Sequence, residues 1–341
     1  MSSRPSPPER RPPIETLKDA HPVRAGLVGE SAVTRRLLRR IRRLARADVP
    51  VLVRGEIGAG KVNVARALHL NSAHSGGPLV IEGGAAFRDP LAARLLFGHQ
   101  RGAFTGAITS VPGLLDEANG GTFFLDEIAD VPLEAQAWLC RAFSGLEYRP
   151  LGGVRARRSR FRLVTSTAHD LRALVSTGRF RRDLYFQVRG AVVDVPPLRQ
   201  RTGDLPEIAA RILEEDGRRR RVPPRRLSAA GREAMRTYPW PGNVRELTHE
   251  LLQAAALCDD DEPIGPDRFQ FVAEPPPGEP PPPARAAPLR RALGAVERQA
   301  IDEALRLAGG NKAEAARRLG MTRRTLYRRL AAMEAEGRAE R

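Results

Sequence analysis

The chain has 341 residues, 41% hydrophobic and 28% charged, which predicts about two globular domains and excludes a disordered or fibrous protein. No apolar run reaches the ~20 residues of a membrane helix, and the N-terminal MSSRPSPPERRPP is unlike a secretory signal. The two cysteines are far apart, which excludes a disulfide framework, so we expect a cytoplasmic protein. The formal charge of +17 favours a nucleic-acid partner, although 54 arginines against three lysines also fit the compositional bias of a GC-rich genome.

Composition predicts five segments along the chain. Residues 1–24 are rich in Pro and Arg and are predicted to be a disordered arm. Residues 25–198 alternate short apolar runs with helical patterns, which predicts an α/β sheet domain, and residues 199–262 are helical in pattern. Residues 263–288 contain PPPGEPPPP and are predicted to be a semi-rigid linker outside any packed core. Residues 289–341 are predicted to form a small helical tail.

A glycine-rich loop follows the first predicted strand, Val51–Val53, and precedes a helix. Gly55, Gly60 and Lys61 match the phosphate-loop pattern, in which backbone N–H groups and the helix N-terminus face phosphate oxygens and the lysine reaches the terminal phosphates. The Ser or Thr that usually follows the lysine and helps to hold Mg²⁺ is replaced by Val62. The pattern alone is moderately specific, because glycine-rich turns before helices are common.

An acidic pair ends a second apolar strand in GGTFFLDEI. Asp126 and Glu127 lie where an open α/β sheet binds its ligand, at the carboxyl end of a buried strand. Asp126 is suited to hold Mg²⁺, and Glu127 is suited to polarise an attacking water. Together with the upstream loop, this pair favours nucleotide binding over a strand that merely ends in carboxylates.

Several motifs together resemble one known family. These are VRGEIGAGK, LFGHQRGAFTGA, GGTFFLDEI, RPLGG, GRFRRDLYF, VPPLRQR and YPWPGNVREL, in that order between about Leu27 and Leu257. They are similar to the sigma-54-dependent transcriptional activators, the bacterial enhancer-binding AAA+ proteins. The resemblance implies an AAA+ P-loop ATPase core, a parallel sheet with helices on both faces, with a helical lid, and it implies ATP and Mg²⁺ as cofactors.

The resemblance also implies site residues. The catalytic candidates are Asp126, which would also hold Mg²⁺ through the nucleotide, Glu127, and Arg179 and Arg181, which would reach the ATP of a neighbouring subunit as arginine fingers. The nucleotide-binding candidates are Gly55, Glu56, Gly58, Gly60, Lys61, Val62 and the sensor II arginine Arg245. The sigma-54 contact would be the loop tip Gly102, Ala103, Phe104, Thr105, Gly106 and Ala107, in which two glycines present one aromatic ring.

Four positions depart from the family pattern. The family usually has Glu where this chain has Val62, and Asn where it has Gly83; that Asn restrains the glutamate of the acidic pair. It usually has a second Asn where this chain has Ala168, and a second arginine where it has Gln187. Each change removes a polar group expected near the nucleotide. The sequence thus leaves two alternatives, a working but altered ATPase and a nucleotide-binding protein with impaired hydrolysis.

The tail resembles the Fis-type helix-turn-helix that ends many of these activators. The sequence predicts an amphipathic helix over Ala295–Ala308 that stops at two glycines, a short helix capped by Asn311, and a turn at Gly320 before a last helix capped by Thr322. That last helix is rich in hydrogen-bond donors for guanine edges and phosphates. The candidate DNA-contacting residues are Thr322, Arg323, Arg324, Thr325, Tyr327, Arg328 and Arg329.

We therefore expect an activator that binds enhancer DNA, forms a homo-oligomeric ring (a hexamer in most of the family) and uses ATP to remodel the closed complex of sigma-54 RNA polymerase. One alternative is a hydrolysis-impaired DNA-binding regulator that acts as a switch or in mixed rings. A general AAA+ remodeller of another substrate is disfavoured by the intact GAFTGA sequence.

Overall fold

The computed structural model describes residues 26–88, 92–145, 147–258 and 262–271. A five-stranded parallel sheet lies at the centre of the described residues between 26 and 198. The strands are β1 (Val51–Arg54), β2 (Leu79–Gly83), β3 (Thr122–Asp126), β4 (Glu147–Tyr148), β5 (Arg157–Arg158), β6 (Arg162–Thr167) and β7 (Ala191–Asp194). The strand order in the parallel sheet is β2-β3-β6-β1-β7, and β4 and β5 form a separate two-stranded antiparallel sheet. Because the five strands are parallel, their carboxyl ends meet at one edge, where the phosphate loop follows β1 and the acidic pair ends β3.

Helices cover both faces of this sheet, which confirms the predicted α/β architecture. The seven in this part are α1 (Ala32–Ala45), α2 (Lys61–Leu70), α3 (Ala92–Phe97), α4 (Leu114–Glu117), α5 (Leu133–Gly145), α6 (Leu171–Ser176) and α7 (Arg182–Val188). Alternate strand residues enter opposite cores. Phe123 and Leu125 pack with α3, α5 and α7, whereas Phe124 packs with α1 and α2.

Helix α1 is strongly amphipathic and is fixed at its N-terminus. Ser31 caps it by accepting a hydrogen bond from the Thr34 N–H at 3.1 Å. The buried carboxylate of Asp204 accepts hydrogen bonds from the Ser31 N–H at 2.7 Å, the Ser31 hydroxyl at 2.8 Å and the Thr34 hydroxyl at 2.6 Å. Burial opposes ionisation of Asp204, but these hydrogen bonds and Arg201 outweigh it and lower its pKa.

Three helices, α8 (Leu205–Arg220), α9 (Ala229–Thr237) and α10 (Asn243–Leu257), form the predicted lid around the fully buried Trp240. The predicted boundary at residue 262 is wrong in one respect. Ile264 and Phe269 are buried in the same core, and Phe271 stacks on Tyr238 with ring centroids 4.5 Å apart. The start of the predicted linker belongs to the lid because its apolar side chains complete that core.

The predicted arm, most of the linker and the helical tail lie outside the described residues. Within the ranges described above, no helix is both long enough and apolar enough to cross a membrane.

Candidate nucleotide site and surface loop

The phosphate loop joins β1 to α2 through two glycines with left-handed backbone. Gly58 has φ 76° and Gly60 has φ 101°, values that favour glycine. A Cβ at Gly60 would have no described heavy atom within 4 Å, so the loop leaves open space at the start of α2. That space lies at a helix N-terminus, where the helix dipole and unpaired N–H groups favour an anion.

Lys61 is buried at the first position of α2, with 6% of its surface exposed. Its ammonium donates hydrogen bonds to the carbonyl oxygens of Gly55 at 2.9 Å and Glu56 at 3.1 Å. It also forms an ion pair of 2.7 Å with a carboxylate oxygen of Glu127. These contacts hold the cation inside the loop, where it is available to an incoming phosphate.

Glu127 has a left-handed backbone, with φ 50°, a strained conformation for this residue type. Its N–H donates to the Ser166 hydroxyl at 3.0 Å, and that hydroxyl donates to Asp126. Its second carboxylate oxygen accepts the Ala168 N–H at 2.8 Å. The strain and these bonds aim the glutamate at Lys61 and at the space above the loop.

A cavity of about 360 Å³ lies above these groups and is large enough for part of a nucleotide. Of the predicted nucleotide residues and the acidic pair, those that line it are Gly58, Gly60, Lys61, Val62, Asp126, Glu127 and Arg245. Gly55 and Glu56 lie beneath it and hold Lys61 through their carbonyl oxygens. A lysine, two carboxylates and a lid arginine around one cavity can bind a phosphate chain and activate a water.

The lid approaches the phosphate loop through the start of α10. A Cβ at Gly58 would lie 2.1 Å from the Gly242 carbonyl oxygen, and the Val244 N–H donates to the Gly58 carbonyl oxygen at 3.1 Å. This close backbone contact requires glycine in the loop and brings Arg245 to the cavity.

Asn243 is not among the predicted site residues, but it connects three segments and is fully buried with φ 56°. Its amide nitrogen donates to a carboxylate oxygen of Glu56 and to the Ile57 carbonyl oxygen, both at 3.1 Å. Its amide oxygen accepts the Leu198 N–H at 2.8 Å. Asn243 therefore ties the phosphate loop to the lid and to the segment between the two subdomains.

Arg199 adds a second connection of the same kind. Its guanidinium holds both carboxylate oxygens of Glu56, at 2.6 and 2.7 Å. This bidentate bond is the main reason that the pKa of Glu56 lies below its usual value. A signal for Arg199 and Asn243 was present in the motifs VPPLRQR and PGNVREL, but their partnership with Glu56 follows only from the fold.

The two predicted arginine fingers do not line the cavity of their own chain. Arg179 and Arg181 are exposed, and the Arg181 guanidinium pairs with Asp183 at 2.8 and 3.0 Å. This hydrogen bond lowers the pKa of Asp183 to about 2. The Arg181 N–H donates to the buried Gln136, which fixes the segment at the surface.

The four departures from the family pattern lie in different surroundings. Val62 and Ala168 line the cavity, and the Ala168 backbone holds Glu127. Gly83 pairs with Asp126 across neighbouring strands, and a Cβ there would have no described atom within 4 Å. Gln187 lies on α7, and its side-chain oxygen is buried without a hydrogen-bond partner in the described part of the chain.

The predicted sigma-54 contact is a surface hairpin between α3 and α4. His99 and Val111 exchange two backbone hydrogen bonds of 2.9 Å at its base, and Gly102 and Gly106 have positive φ at its tip. Phe104 is 37% exposed and lies against the His99 ring, with centroids 5.0 Å apart, and under Arg94, 5.5 Å from its centroid. Thr105 is exposed at the tip.

The RPLGG segment supports this hairpin. The Gln100 N–H donates to the Leu151 carbonyl oxygen at 2.9 Å, and the Leu151 N–H donates to that of Gly98 at 3.0 Å. Gly152 has φ 71°, and a Cβ there would lie 2.7 Å from the Cβ of Ala103. The two loops are thus in direct backbone contact.

The candidate DNA-contacting residues between Thr322 and Arg329 lie outside the described residues, so the structure provides no geometry for them. Among the residues that it does describe, no group of three or more His, Cys, Asp or Glu side chains could form a metal site. Ser166 is also absent from the predicted site residues. Its hydrogen bonds to Asp126 and Glu127 could not be predicted from the sequence, because they depend on β6 lying beside β3.

Three family models match the chain. Residues 27–194 match the sigma-54 interaction domain, residues 199–278 match the AAA+ ATPase lid domain, and residues 292–333 match the bacterial regulatory proteins of the Fis family. A solved structure of NtrX from Brucella abortus in complex with ADP is similar, with a TM-score of 0.66 and 30% identity. The alignment covers 90% of this chain and 68% of NtrX.

Curated relatives agree with these models. The transcriptional regulatory protein ZraR of Klebsiella oxytoca is 40% identical over 311 residues, 89% of this chain and 68% of ZraR. The response regulator protein PilR of Pseudomonas aeruginosa is 39% identical, over 91% of this chain and 70% of PilR. The chain spans less of some others, such as 62% of the nitric oxide reductase transcription regulator NorR1 of Cupriavidus necator. Together with the cavity and the surface hairpin, these similarities show that the chain belongs to the sigma-54-dependent transcriptional activators, with an AAA+ core and lid and a Fis-type helix-turn-helix.

Proposed function

We propose that this protein hydrolyses ATP to remodel the closed complex of sigma-54 RNA polymerase while it is bound to enhancer DNA. The observation that carries the proposal is one cavity lined by Lys61, Asp126, Glu127 and Arg245, in a domain that also presents Phe104 on a surface hairpin. NtrX, which shares this fold, has been solved with ADP and with ATP. The proposed place of action is the cytoplasm, where polymerase and DNA are found.

Each residue has a proposed task. Lys61 and the loop N–H groups bind the phosphates, and Lys61 exchanges Glu127 for phosphate oxygens when ATP arrives. Glu127 then orients and deprotonates the attacking water, while Arg245 contacts the nucleotide from the lid. Ser166 positions both carboxylates, because its hydroxyl bonds to each of the two residues.

The donor set fits Mg²⁺ held through the nucleotide. Asp126 supplies a carboxylate at the cavity, Val62 supplies no oxygen, and Mg²⁺ ordinarily takes one or two carboxylates together with phosphates and waters. When bound, the ion would neutralise charge that develops on the phosphates.

Arg179 and Arg181 act across a subunit boundary in this proposal. They are exposed and lie away from their own cavity, so they reach an ATP only in a ring, for which we propose a hexamer. The tail, residues 289–341, is the proposed enhancer-binding part.

A Phe104→Ala substitution tests the remodelling function. Closed complexes of sigma-54 polymerase on a labelled promoter fragment are mixed with protein and ATP, and open complexes are scored by permanganate reactivity. We expect about 30-fold or greater loss of open complexes, because an aromatic anchor contributes about 2 kcal/mol or more to an interface. ATP turnover should stay within about twofold, since Phe104 does not line the cavity.

Ile108→Ala is the matched control, because Ile108 is 75% exposed in the same hairpin but lies outside the GAFTGA tip. Normal opening by Phe104→Ala, or equal loss with Ile108→Ala, would count against the proposed contact.

Asn243→Ala is expected to raise the KM for ATP about tenfold. The change leaves the Leu198 N–H and the Ile57 carbonyl oxygen without the partner that they share, and such buried groups cost about 1–3 kcal/mol. Steady-state turnover against ATP concentration measures the effect. Asn243→Gly is the control, because glycine adopts the positive φ of this position without strain but lacks the amide. If KM rises with alanine but not with glycine, the cause is backbone strain and not the lost hydrogen bonds.

A further inference from the structure

Helix α1 and its C-cap carry seven arginines in twelve residues. They are Arg35, Arg36, Arg39, Arg40, Arg42, Arg43 and Arg46, and all seven are exposed. The segment 32–46 has no acidic residue, so its charge is +7. This is the densest run of positive charge in the described part of the ATPase core.

The arginines share one face of the helix. At 100° per residue they span an arc of about 160°. The opposite face consists of buried residues that pack on α2 and the sheet, namely Thr34, Leu37, Leu38, Ile41 and Ala45. The fold therefore holds the helix firmly and turns its charge outward.

No carboxylate lies within ion-pair distance of these seven side chains among the residues that the structure describes. The arginines of α8 differ, because Arg218 pairs with Glu215 at 3.2 Å and Arg219 with Asp216 at 2.9 Å. Arginine-rich composition does not account for the contrast, since residues 199–262 balance 12 basic with 12 acidic residues.

We propose that this arginine face binds the phosphate backbone of double-stranded DNA, as a second DNA contact besides the helix-turn-helix tail. From Arg35 to Arg46 the helix extends about 17 Å, and a duplex presents one negative charge per about 1.7 Å of axis. One guanidinium group can donate two parallel hydrogen bonds to two oxygens of the same phosphate. The contact reads no bases, so it adds affinity without sequence preference.

Charge complementarity favours DNA, and so does the rest of the chain. Residues 292–333 match a family of DNA-binding regulators, so DNA held by the tail is present at high local concentration near the core. None of the α1 residues lines the nucleotide cavity, so this contact is separate from the proposed ATP chemistry.

The test uses the full chain with Arg36, Arg39 and Arg43 replaced by Gln, which keeps helix propensity. Binding to a fluorescently labelled duplex of unrelated sequence is measured by anisotropy between about 50 and 200 mM salt. Each lost phosphate contact should make the slope of log K against log salt shallower by about 0.9, so about 2.7 for three. At about 0.1 M salt we expect at least tenfold weaker binding.

Two controls separate this contact from net charge and from the tail. Replacing Arg211, Arg218 and Arg219 of α8 by Gln removes the same charge and should leave the slope unchanged. The α1 effect should persist when Arg323 and Arg324 of the tail are replaced by Ala. The measurement requires neither ATP hydrolysis nor sigma-54, so failure of the proposed activator function would not affect it.

Three results would overturn the proposal. The first is a slope of log K against log salt that the α1 substitutions leave unchanged, and the second is an equal change of that slope with the α8 substitutions. The third is an α1 variant that no longer assembles, as seen by light scattering, but still binds DNA normally. The last result would make α1 a contact between subunits. In the first case, polyglutamate binding that the α1 substitutions weaken would point instead to an acidic protein partner for this face.

Discussion

Glu127→Gln is expected to lower ATP turnover about 100- to 1,000-fold while ATP remains bound. A positioned general base contributes about 10²–10⁴ to the rate, and glutamine keeps the shape of the side chain but not its basicity. Lys61→Ala should behave differently, with about 10- to 100-fold weaker ATP binding, because it removes a charge-assisted contact to phosphate. Steady-state hydrolysis and equilibrium binding, each measured across a protein concentration series, separate the two effects.

Glu134→Gln is the matched control, because it removes an exposed carboxylate at the start of α5 and should leave both measurements unchanged. Turnover by the unmodified protein that rises cooperatively with concentration would support a ring. Turnover no greater than that of Glu127→Gln, with nucleotide still bound, would instead support the hydrolysis-impaired regulator that the substitutions at Val62, Gly83, Ala168 and Gln187 suggested.

Trp240→Ala should lower the free energy of unfolding by about 3–5 kcal/mol, the range for large aromatic residues in a core. Trp240 is fully buried, its indole N–H donates to the Met235 carbonyl oxygen at 2.8 Å, and Tyr238 and Phe271 pack edge-on against it. Urea unfolding followed by circular dichroism measures the change. The lid core would collapse around the resulting cavity, and the position of Arg245 would be lost with it.

Trp240→Phe separates packing from hydrogen bonding, because it keeps most of the ring contacts and removes the N–H. A loss of about 1–3 kcal/mol is expected for it, from the unpaired Met235 carbonyl oxygen and the smaller ring. A change below about 1 kcal/mol with alanine would show that the lid does not depend on this residue.

The sheet could be predicted from the sequence because its signals are local, and the residues of the proposed nucleotide site follow from the same signals. Buried parallel strands appear as short β-branched and aromatic runs, and the residues that follow β1 and β3 reach the same edge. The structure brings Lys61, Asp126 and Glu127 to one cavity at that edge, and their roles in nucleotide chemistry stay a prediction. The predicted domain fold is confirmed by the structure and by the family models.

The supporting contacts could not be predicted, because they join distant segments. Glu56 and Asn243 are 187 positions apart, and Ser166 meets Asp126 only because β6 lies beside β3. The lid was ended too early at residue 262 because a proline-rich composition hid the apolar side chains of Ile264 and Phe269. The roles of Arg179 and Arg181 depend on a second subunit and stay a prediction.

Asp204 links the start of the basic helix α1 to the start of the lid. It lies at the N-cap position of α8 but makes no capping hydrogen bond there; its carboxylate instead binds the first turn of α1, so one residue joins the starts of the two helices. Because this carboxylate is buried and bound to α1, a movement of the start of α8 would also move the start of α1. Any movement of the lid about residues 199–204 would therefore act directly on the start of α1, the helix that carries the proposed DNA contact.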